Sequence, residues 1–271
     1  MSTPPRAGQI RFADLEAALR SGLRTFRQMP MVSAAYASVF ALIGLVLLGA
    51  IAVLGVSPLA LPFAGGFMLV GPVLVAGYFE LASRQERGEA PRVLDAFGAF
   101  RRAPAGLWLL ALLCAFLFLI WITDAGILYS FTLAGQHLPI SLGWGPEQRT
   151  QAAGFVLWAS LMGAVLAYMI YAVSAFAVPL IYEERSDTVR AVELSVRTVL
   201  GSFFVSLAWG LILSGVILVS ILVLPLLLVS LPVMAYASFA LYRRAFPTGS
   251  ETGGAPAGVT ERDHWLSEEG H

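Results

Sequence analysis

Sixteen of the seventeen arginines in this chain fall on one side of its apolar runs, once those runs are read as membrane spans. There is no lysine, so arginine alone carries the positive charge. A bilayer core of about 30 Å needs roughly 20 apolar helical residues to cross it. Residues 31–55, 59–82, 106–131 and 152–182 each meet that length. The stretch from Phe203 to Tyr242 holds 40 residues without a charge. As one helix it would reach about 60 Å, twice a bilayer core. It therefore reads as two spans, with the turn between Ser220 and Pro225, where the missing proline amide favours a break. The chain is 58% hydrophobic and only 13% charged, whereas a soluble domain has roughly 25% charged residues. A water-soluble core has no use for runs of this length.

The arginines order the spans. Arg6, Arg11, Arg20, Arg24 and Arg27 precede the first. Arg84, Arg87, Arg92, Arg101 and Arg102 lie between the second and third, and Arg185, Arg190 and Arg197 between the fourth and fifth. Arg243, Arg244 and Arg262 follow the sixth, and only Arg149 falls on the other side. Arginine is enriched in cytoplasmic connections, so both termini are expected in the cytoplasm and the number of spans is expected to be even. The fold expected is an all-α membrane protein of six transmembrane helices in three hairpins. Residues 1–30 form an N-terminal cytoplasmic segment, residues 31–246 the membrane domain, and residues 247–271 an acidic tail. That tail is rich in Gly, Pro, Ser and Thr, and it buries too little apolar area to order itself.

Each hairpin is preceded by a charged segment with helical periodicity. Gln9 to Met29 places Phe12, Leu15, Leu19, Leu23 and Phe26 on one face. Ala90 to Ala103 does so with Val93, Leu94, Phe97 and Phe100, and Ser186 to Leu200 with Val189, Val192, Val196 and Val199. An alanine precedes an arginine by six positions in all three: Ala18 and Arg24, Ala96 and Arg102, Ala191 and Arg197. The pattern reads as a weak threefold repeat of amphipathic helix plus hairpin. Such helices either lie flat on the headgroups or pack together as a cytoplasmic collar.

The run Met68-Leu-Val-Gly-Pro-Val-Leu-Val-Ala-Gly-Tyr-Phe-Glu80 is followed by Ser83-Arg84 and by Glu86-Arg87-Gly88-Glu89-Ala90-Pro91. It resembles a bacterial family of predicted integral membrane proteins, domain of unknown function 2189. Looser similarity extends through Pro179-Leu-Ile-Tyr182 and Pro232-Val-Met-Ala235 to Tyr242-Arg243. The resemblance implies a six-span inner-membrane protein and carries no activity or site residue with it.

Candidate chemistry is sparse. Asp124 is the one ionisable side chain well inside a span. It lies near the far interface, where Thr123 or water can satisfy it; the sharper reading makes it a functional carboxylate. Glu80 and Arg84 have the favourable i, i+4 order of an ion pair ending a span, with a gate or proton site as the sharper reading. Gly71-Pro72 and Pro232 are expected to kink their helices, and paired broken helices also mark transporter sites. Ala159, Gly163 and Ala167, and Ser202, Ser206, Gly210 and Ser214, are small residues spaced by four. They read as packing stripes within the bundle or between copies.

Function is less legible. No histidine lies within a span to ligate haem, and no paired-histidine zinc motif or phosphate loop is present. Cys114 sits in an apolar run, where a thiol is normally inert. No cofactor or metal is expected, and zero net charge gives no field for nucleic acid. The expectation is a non-enzymatic inner-membrane protein acting through the lipid bilayer, a membrane-protein partner or a second copy, in assembly, scaffolding or modulation of a complex. The alternative is a small transporter or channel for a neutral or weakly polar solute.

Overall fold

The computed structural model describes residues 8–54, 60–132 and 146–247. The tail beyond 247, with His264 and Trp265, lies outside the described residues, as do Arg6, His137 and Arg262. The elements in chain order are α1 (Phe12–Gln28), α2 (Pro30–Leu54), α3 (Ala60–Glu86), α4 (Val93–Arg101) and α5 (Ala105–Thr132). They continue as α6 (Pro146–Ser174), α7 (Ala177–Tyr182), α8 (Thr188–Gly201), α9 (Phe203–Leu222) and α10 (Leu224–Ala245).

Among the described residues four stretches are long and apolar enough to cross a membrane: Ala105–Leu128, Ala153–Tyr182, Phe203–Ser220 and Pro225–Ala245. A fifth is added if Phe12–Gln28 and Pro30–Val46, which meet at 99°, are taken together as one broken span. The helices α2 and α3 have 25 and 27 residues. At about 1.5 Å per residue each is long enough for a bilayer core.

Two breaks interrupt the apolar runs. One falls at Val223, between α9 and α10, with Pro225 in the first turn of α10. A proline is tolerated there because its missing amide would have had no helical partner. Ser220 and Ser230 face each other across this turn at 2.6 Å. The other divides residues 152–182, which the sequence presents as one span, into α6 and α7. A buried break exposes backbone groups that must find partners. Ser195 of α8 supplies one: its hydroxyl donates to the Ala172 carbonyl at 2.7 Å and accepts the Phe176 amide at 3.1 Å.

The packing order is cyclic. The short helix α4 packs on α3, and α8 packs on α6 and α7. Each thus lies against the long helices that end just before it. The first helix, α1, has no such predecessor and packs on α10, closing the circle. The next helix in each set follows suit: α5 contacts α3, α9 contacts α6, and α2 contacts α10. Ala18, Ala96 and Ala191, the alanines of the weak sequence repeat, are each 0% exposed.

The inward faces of the short helices are in part those the periodicity picks out: Leu15 and Val199 are buried, and Leu19, Phe26, Val93, Phe97 and Val192 pack against the core. Phe12, Leu94 and Val189 are exposed, the last two to 77%. The most buried positions are Leu15, Ala18 and Gly22 in α1, Ala96 and Ala99 in α4, and Ala191, Leu194, Ser195, Thr198 and Val199 in α8. Small side chains let helix axes approach closely, which matters most where packing rather than water exclusion drives association. Among the glycines within helices, the closest approach to the backbone of another helix is at Gly22. A Cβ built there would stand 2.5 Å from the Val233 carbonyl oxygen and 2.7 Å from the Ala237 amide. At the start of α1, the Ile10 amide donates to Ser202 Oγ at 3.1 Å.

The chain leaves α3 and α7 by the same hydrogen-bond pattern. The Glu89 amide reaches the Arg84 carbonyl and the Gly88 amide that of Gln85, each at 3.1 Å. After α7, the Arg185 amide reaches Leu180 and the Glu184 amide Ile181, each at 3.0 Å. This C-terminal motif needs one left-handed residue, normally glycine. Gly88 fills that place at φ 74° in the first case; Glu184, at φ 52°, fills it in the second. A side chain there costs about 1 kcal/mol relative to glycine. Glu184→Gly is therefore expected to stabilise the chain by roughly that amount, visible as a modest rise in melting temperature in detergent. A fall instead would show that the Glu184 side chain contributes more than its backbone strain costs.

Candidate functional site

The ends of α3, α4, α7 and α10 meet in a cluster of paired charges and tyrosines. Glu80 lies in the last two turns of α3 with its side chain 15% exposed. Its carboxylate accepts from Arg84 Nε at 2.7 Å, from the Tyr182 hydroxyl at 2.5 Å and from Arg102 at 3.4 Å. The i, i+4 spacing of Glu80 and Arg84 brings one pair together along the helix. Tyr182 and Arg102 arrive from α7 and from the chain just beyond α4. Arg84 also reaches Glu89 at 3.2 Å and Asp95 at 3.5 Å. The hydrogen bond to Glu80 holds its guanidinium above the usual arginine value, with Asp95 and Glu89 adding to the effect. Arg87 is raised likewise, chiefly by its hydrogen bond to Glu89.

A second centre stands beside it. Glu183 accepts from the Tyr242 hydroxyl at 2.7 Å and from Arg243 at 3.1 Å. Arg185 donates to the same tyrosine oxygen at 3.0 Å and to the Phe246 carbonyl at 2.7 Å. Arg243 also pairs with Glu86 of α3, and Arg244 reaches Asp14 of α1 at 3.7 Å. The arginine-bearing segments around α1, α3–α4, α7–α8 and α10 therefore lie at one end of the helix assembly. Charges withdrawn from water are costly unless paired and fully hydrogen-bonded. Both carboxylates meet that condition, with charged donors that make stronger bonds than neutral ones.

Aromatic rings lie directly against this layer. Phe79 stacks on Phe239 with centroids 4.6 Å apart, and the Arg243 guanidinium lies 4.5 Å over the Phe239 ring. On the other side of Phe79 is a cavity of about 280 Å³ bounded by α3, α5, α6, α7, α9 and α10. Phe79, Phe176 and Leu241 close it toward the charged layer, and Gly71, Pro72, Cys114 and Leu213 form its deeper wall. No charged side chain lines it.

The residues singled out in the sequence are thus dispersed. Glu80 and Arg84 belong to the charged layer, Gly71 and Pro72 to the cavity wall. Pro232 lies inside α10 and is not part of that wall. Asp124, on α5, is half-buried. The Thr123 hydroxyl does not serve it, donating instead to the Leu119 carbonyl at 2.9 Å. The stripes divide as well. Gly163 lies against Trp121 and Gly210 beside the Tyr171 ring, whereas Ala167 and Ser214 are exposed. Ser202 caps the α8–α9 junction and holds Ile10, so it is an anchor for the chain before α1 rather than part of a span stripe. The residues that sequence reasoning missed as a site are Tyr182, Glu183, Arg185 and Tyr242. Their signal was a recurrent aromatic followed by a charge at the end of an apolar run: Phe79-Glu80, Tyr182-Glu183, Tyr242-Arg243. Among the described residues no group of three or more His, Cys, Asp or Glu side chains is placed to hold a metal ion.

No curated protein and no solved structure matches the chain. Residues 59–183 match a family described as predicted integral membrane protein, domain of unknown function 2189. The matched segment includes both Glu80 and Glu183, with Arg84, Arg102 and Tyr182. The match runs from the start of α3 to the end of α7, a little under half of the chain, and that stretch is similar to this family of predicted integral membrane proteins.

Proposed function

We propose that this is a non-enzymatic six-span protein of a bacterial inner membrane, with three hairpins, each preceded by an amphipathic helix, and both termini in the cytoplasm. It works through contacts made by its arginine-rich end, in assembling, scaffolding or modulating a membrane complex. The observation that carries this reading is the charged layer. Its interior is paired and locked to the helices, while further arginines point away from it. Arg24 near the end of α1, Arg101 at the end of α4 and Arg197 near the end of α8 are exposed, and Arg197 also pairs with Glu193 of its own helix at 2.8 Å. Seven positions after each comes an exposed apolar side chain: Met31, Trp108 and Phe204. A guanidinium above an apolar anchor suits the boundary between headgroups and acyl chains. The meeting of four arginine-bearing segments at one end supports an even number of crossings between each of them.

The test is purification from membranes in mild detergent, beside a control protein of similar size and span number. An anionic phospholipid or a membrane protein is expected to co-purify above the control. A chain with Arg24→Glu, Arg101→Glu and Arg197→Glu is expected to lose most of it, since each arginine near an anionic surface contributes about 1 kcal/mol. Equal recovery by wild type, triple variant and control would remove the reading. Reporter fusions after Ser57 and Gln148 are expected outside, and one at the carboxyl end inside.

A second reading is favoured by the cavity at Gly71 and Pro72: a small transporter or channel for a neutral or weakly polar solute. Flux in liposomes that changes with Pro72→Ala or Asp124→Asn would support it. Inert liposomes across broad solute classes would count against it.

A further inference from the structure

We infer that the tip of the α9–α10 hairpin ends beneath the far headgroups, so that it contacts the acyl chains of that leaflet and neither water nor a soluble protein. The inference rests on the reading above that the arginine-rich end sits at one membrane surface. The sequence of the tip is the first observation. From Gly215 to Val229 the one polar side chain is Ser220. A turn exposed to water is normally built from Gly, Pro, Asn, Asp and Ser. Here Leu218, Val219, Val223, Leu226 and Val229 are all exposed, to between 41% and 62%. Their surface continues the exposed apolar flank of α9 at Leu211.

A turn can lie in hydrocarbon only if its polar groups are satisfied within the protein. The Val223 amide donates to the Val219 carbonyl at 3.0 Å and the Leu226 amide to the Val223 carbonyl at 2.8 Å. Pro225 has no amide to satisfy. The Ser220 hydroxyl donates to the Val216 carbonyl and accepts from Ser230, each at 2.6 Å, and both serines are buried. Length sets the depth. Tyr242 belongs to the charged layer through Glu183 and Arg185. From Tyr242 back along α10 to Leu224 is about 27 Å. A bilayer is about 30 Å thick in its hydrocarbon and roughly 40–45 Å with its headgroup regions. With the charged layer among one set of headgroups, the tip stops short of the other set. The neighbouring α5 starts at the same end, just after Arg102, which reaches Glu80. Its 28 residues extend about 42 Å, enough to emerge, so the shortfall is particular to the α9–α10 hairpin. Any protein that meets this tip must do so inside the membrane.

The test measures depth directly. Full-length Val223→Cys and, independently, Leu226→Cys are made together with Cys114→Ala and labelled with bimane. They are reconstituted in phosphatidylcholine vesicles that carry a nitroxide either on the headgroup or midway along one acyl chain. Ala90→Cys, in the exposed connection between α3 and α4, marks the charged end. At both tip positions the acyl nitroxide is expected to quench more strongly than the headgroup nitroxide, and at Ala90 the order is expected to reverse. Unlabelled tip cysteines are also expected to lose reaction with a sulfonated, membrane-impermeant maleimide present on both sides of the vesicles, and to regain it once the chain is unfolded in SDS. Acyl quenching no stronger than headgroup quenching at either tip position, or maleimide reaction there as complete as at Ala90, would overturn the inference and leave the placement of the charged end standing. Dominant acyl quenching at Ala90 would overturn that placement, and the inference with it.

Discussion

Gly22→Leu is expected to detach α1 from α10 and to cost the chain roughly 3 kcal/mol or more, the upper part of the range for overpacking a close contact. The magnitude follows from what the new atoms would meet. A Cβ at Gly22 stands 2.5 Å from the Val233 carbonyl oxygen, 2.7 Å from the Ala237 amide and 2.8 Å from the Ala237 Cβ. Two of these atoms are backbone, so no rotamer change can relieve the clash. Either α10 bends or α1 leaves. Separation would also release the Ile10–Ser202 hydrogen bond and the Asp14–Arg244 pair. Because α1 carries Arg20, Arg24 and Arg27, trypsin reads the outcome directly. The wild type should resist cleavage within α1 in detergent, and Gly22→Leu should be cut there while the remainder of the chain stays intact. Gly44, on α2, provides the control, since nothing lies within 4 Å of a Cβ built at that position. Gly44→Ala is expected to be neutral or to gain up to about 1 kcal/mol from helix propensity. A Gly22→Leu chain as protease-resistant and heat-stable as wild type would show that α1 contributes nothing to holding α10.

Much of this architecture is written in simple local signals, and the places where reading failed share one cause. Long charge-free runs announce membrane helices, and the break at Val223 falls inside the interval that Pro225 and the 60 Å length argument define. The corresponding break between α6 and α7 has no such sign. Ser174, Ala175 and Phe176 are compatible with a continuing helix, and the interruption is held by Ser195, a contact across 19 and 23 residues. Periodicity similarly found the three short helices and part of their inner faces, Leu15 and Val199 among them, but it missed the small residues at their centres because it weights large apolar ones. Close packing against another helix selected Ala18, Ala96 and Ala191, which a hydrophobicity pattern barely registers. The candidate site suffered most. Glu80 and Arg84 are four residues apart and were legible as a pair. Tyr182 is 102 residues from Glu80 and Tyr242 is 59 from Glu183, so their convergence depends on how the helices assemble. The cavity is legible only in three dimensions, although Pro72 gave the one local hint of it.

Glu80→Ala is the second large effect, expected at about 2–3 kcal/mol, somewhat below the cost of breaking a fully buried ion pair. The discount has a structural basis. The side chain of Arg102 is 62% exposed, and Arg84 keeps Glu89 and Asp95 as partners. Tyr182 has no such substitute within its hydrogen-bonded contacts, so its hydroxyl loses a charged acceptor at the edge of the aromatic layer. The interpretation turns on separating charge from hydrogen bonding. Glu80→Gln retains an acceptor oxygen of nearly the same shape but cannot balance Arg84 and Arg102. It is expected to recover about half of the loss, since bonds to charged groups are roughly twice as strong as neutral ones. Tyr182→Phe alone is expected to cost about 1.5 kcal/mol. Combined with Glu80→Ala it should add little further, because one bond is removed in both variants; the double-mutant cycle in reversible detergent unfolding measures that coupling. Asp124→Asn, whose carboxylate belongs to no such layer, should change stability by less than about 0.5 kcal/mol. Strict additivity of Glu80→Ala and Tyr182→Phe, or a larger loss from Asp124→Asn than from Glu80→Ala, would remove the charged layer as the lock between α3 and α7. The ends of the helices would then be held by packing around Phe79 and Phe239, with the carboxylates as solvated ornaments of that contact rather than its cause.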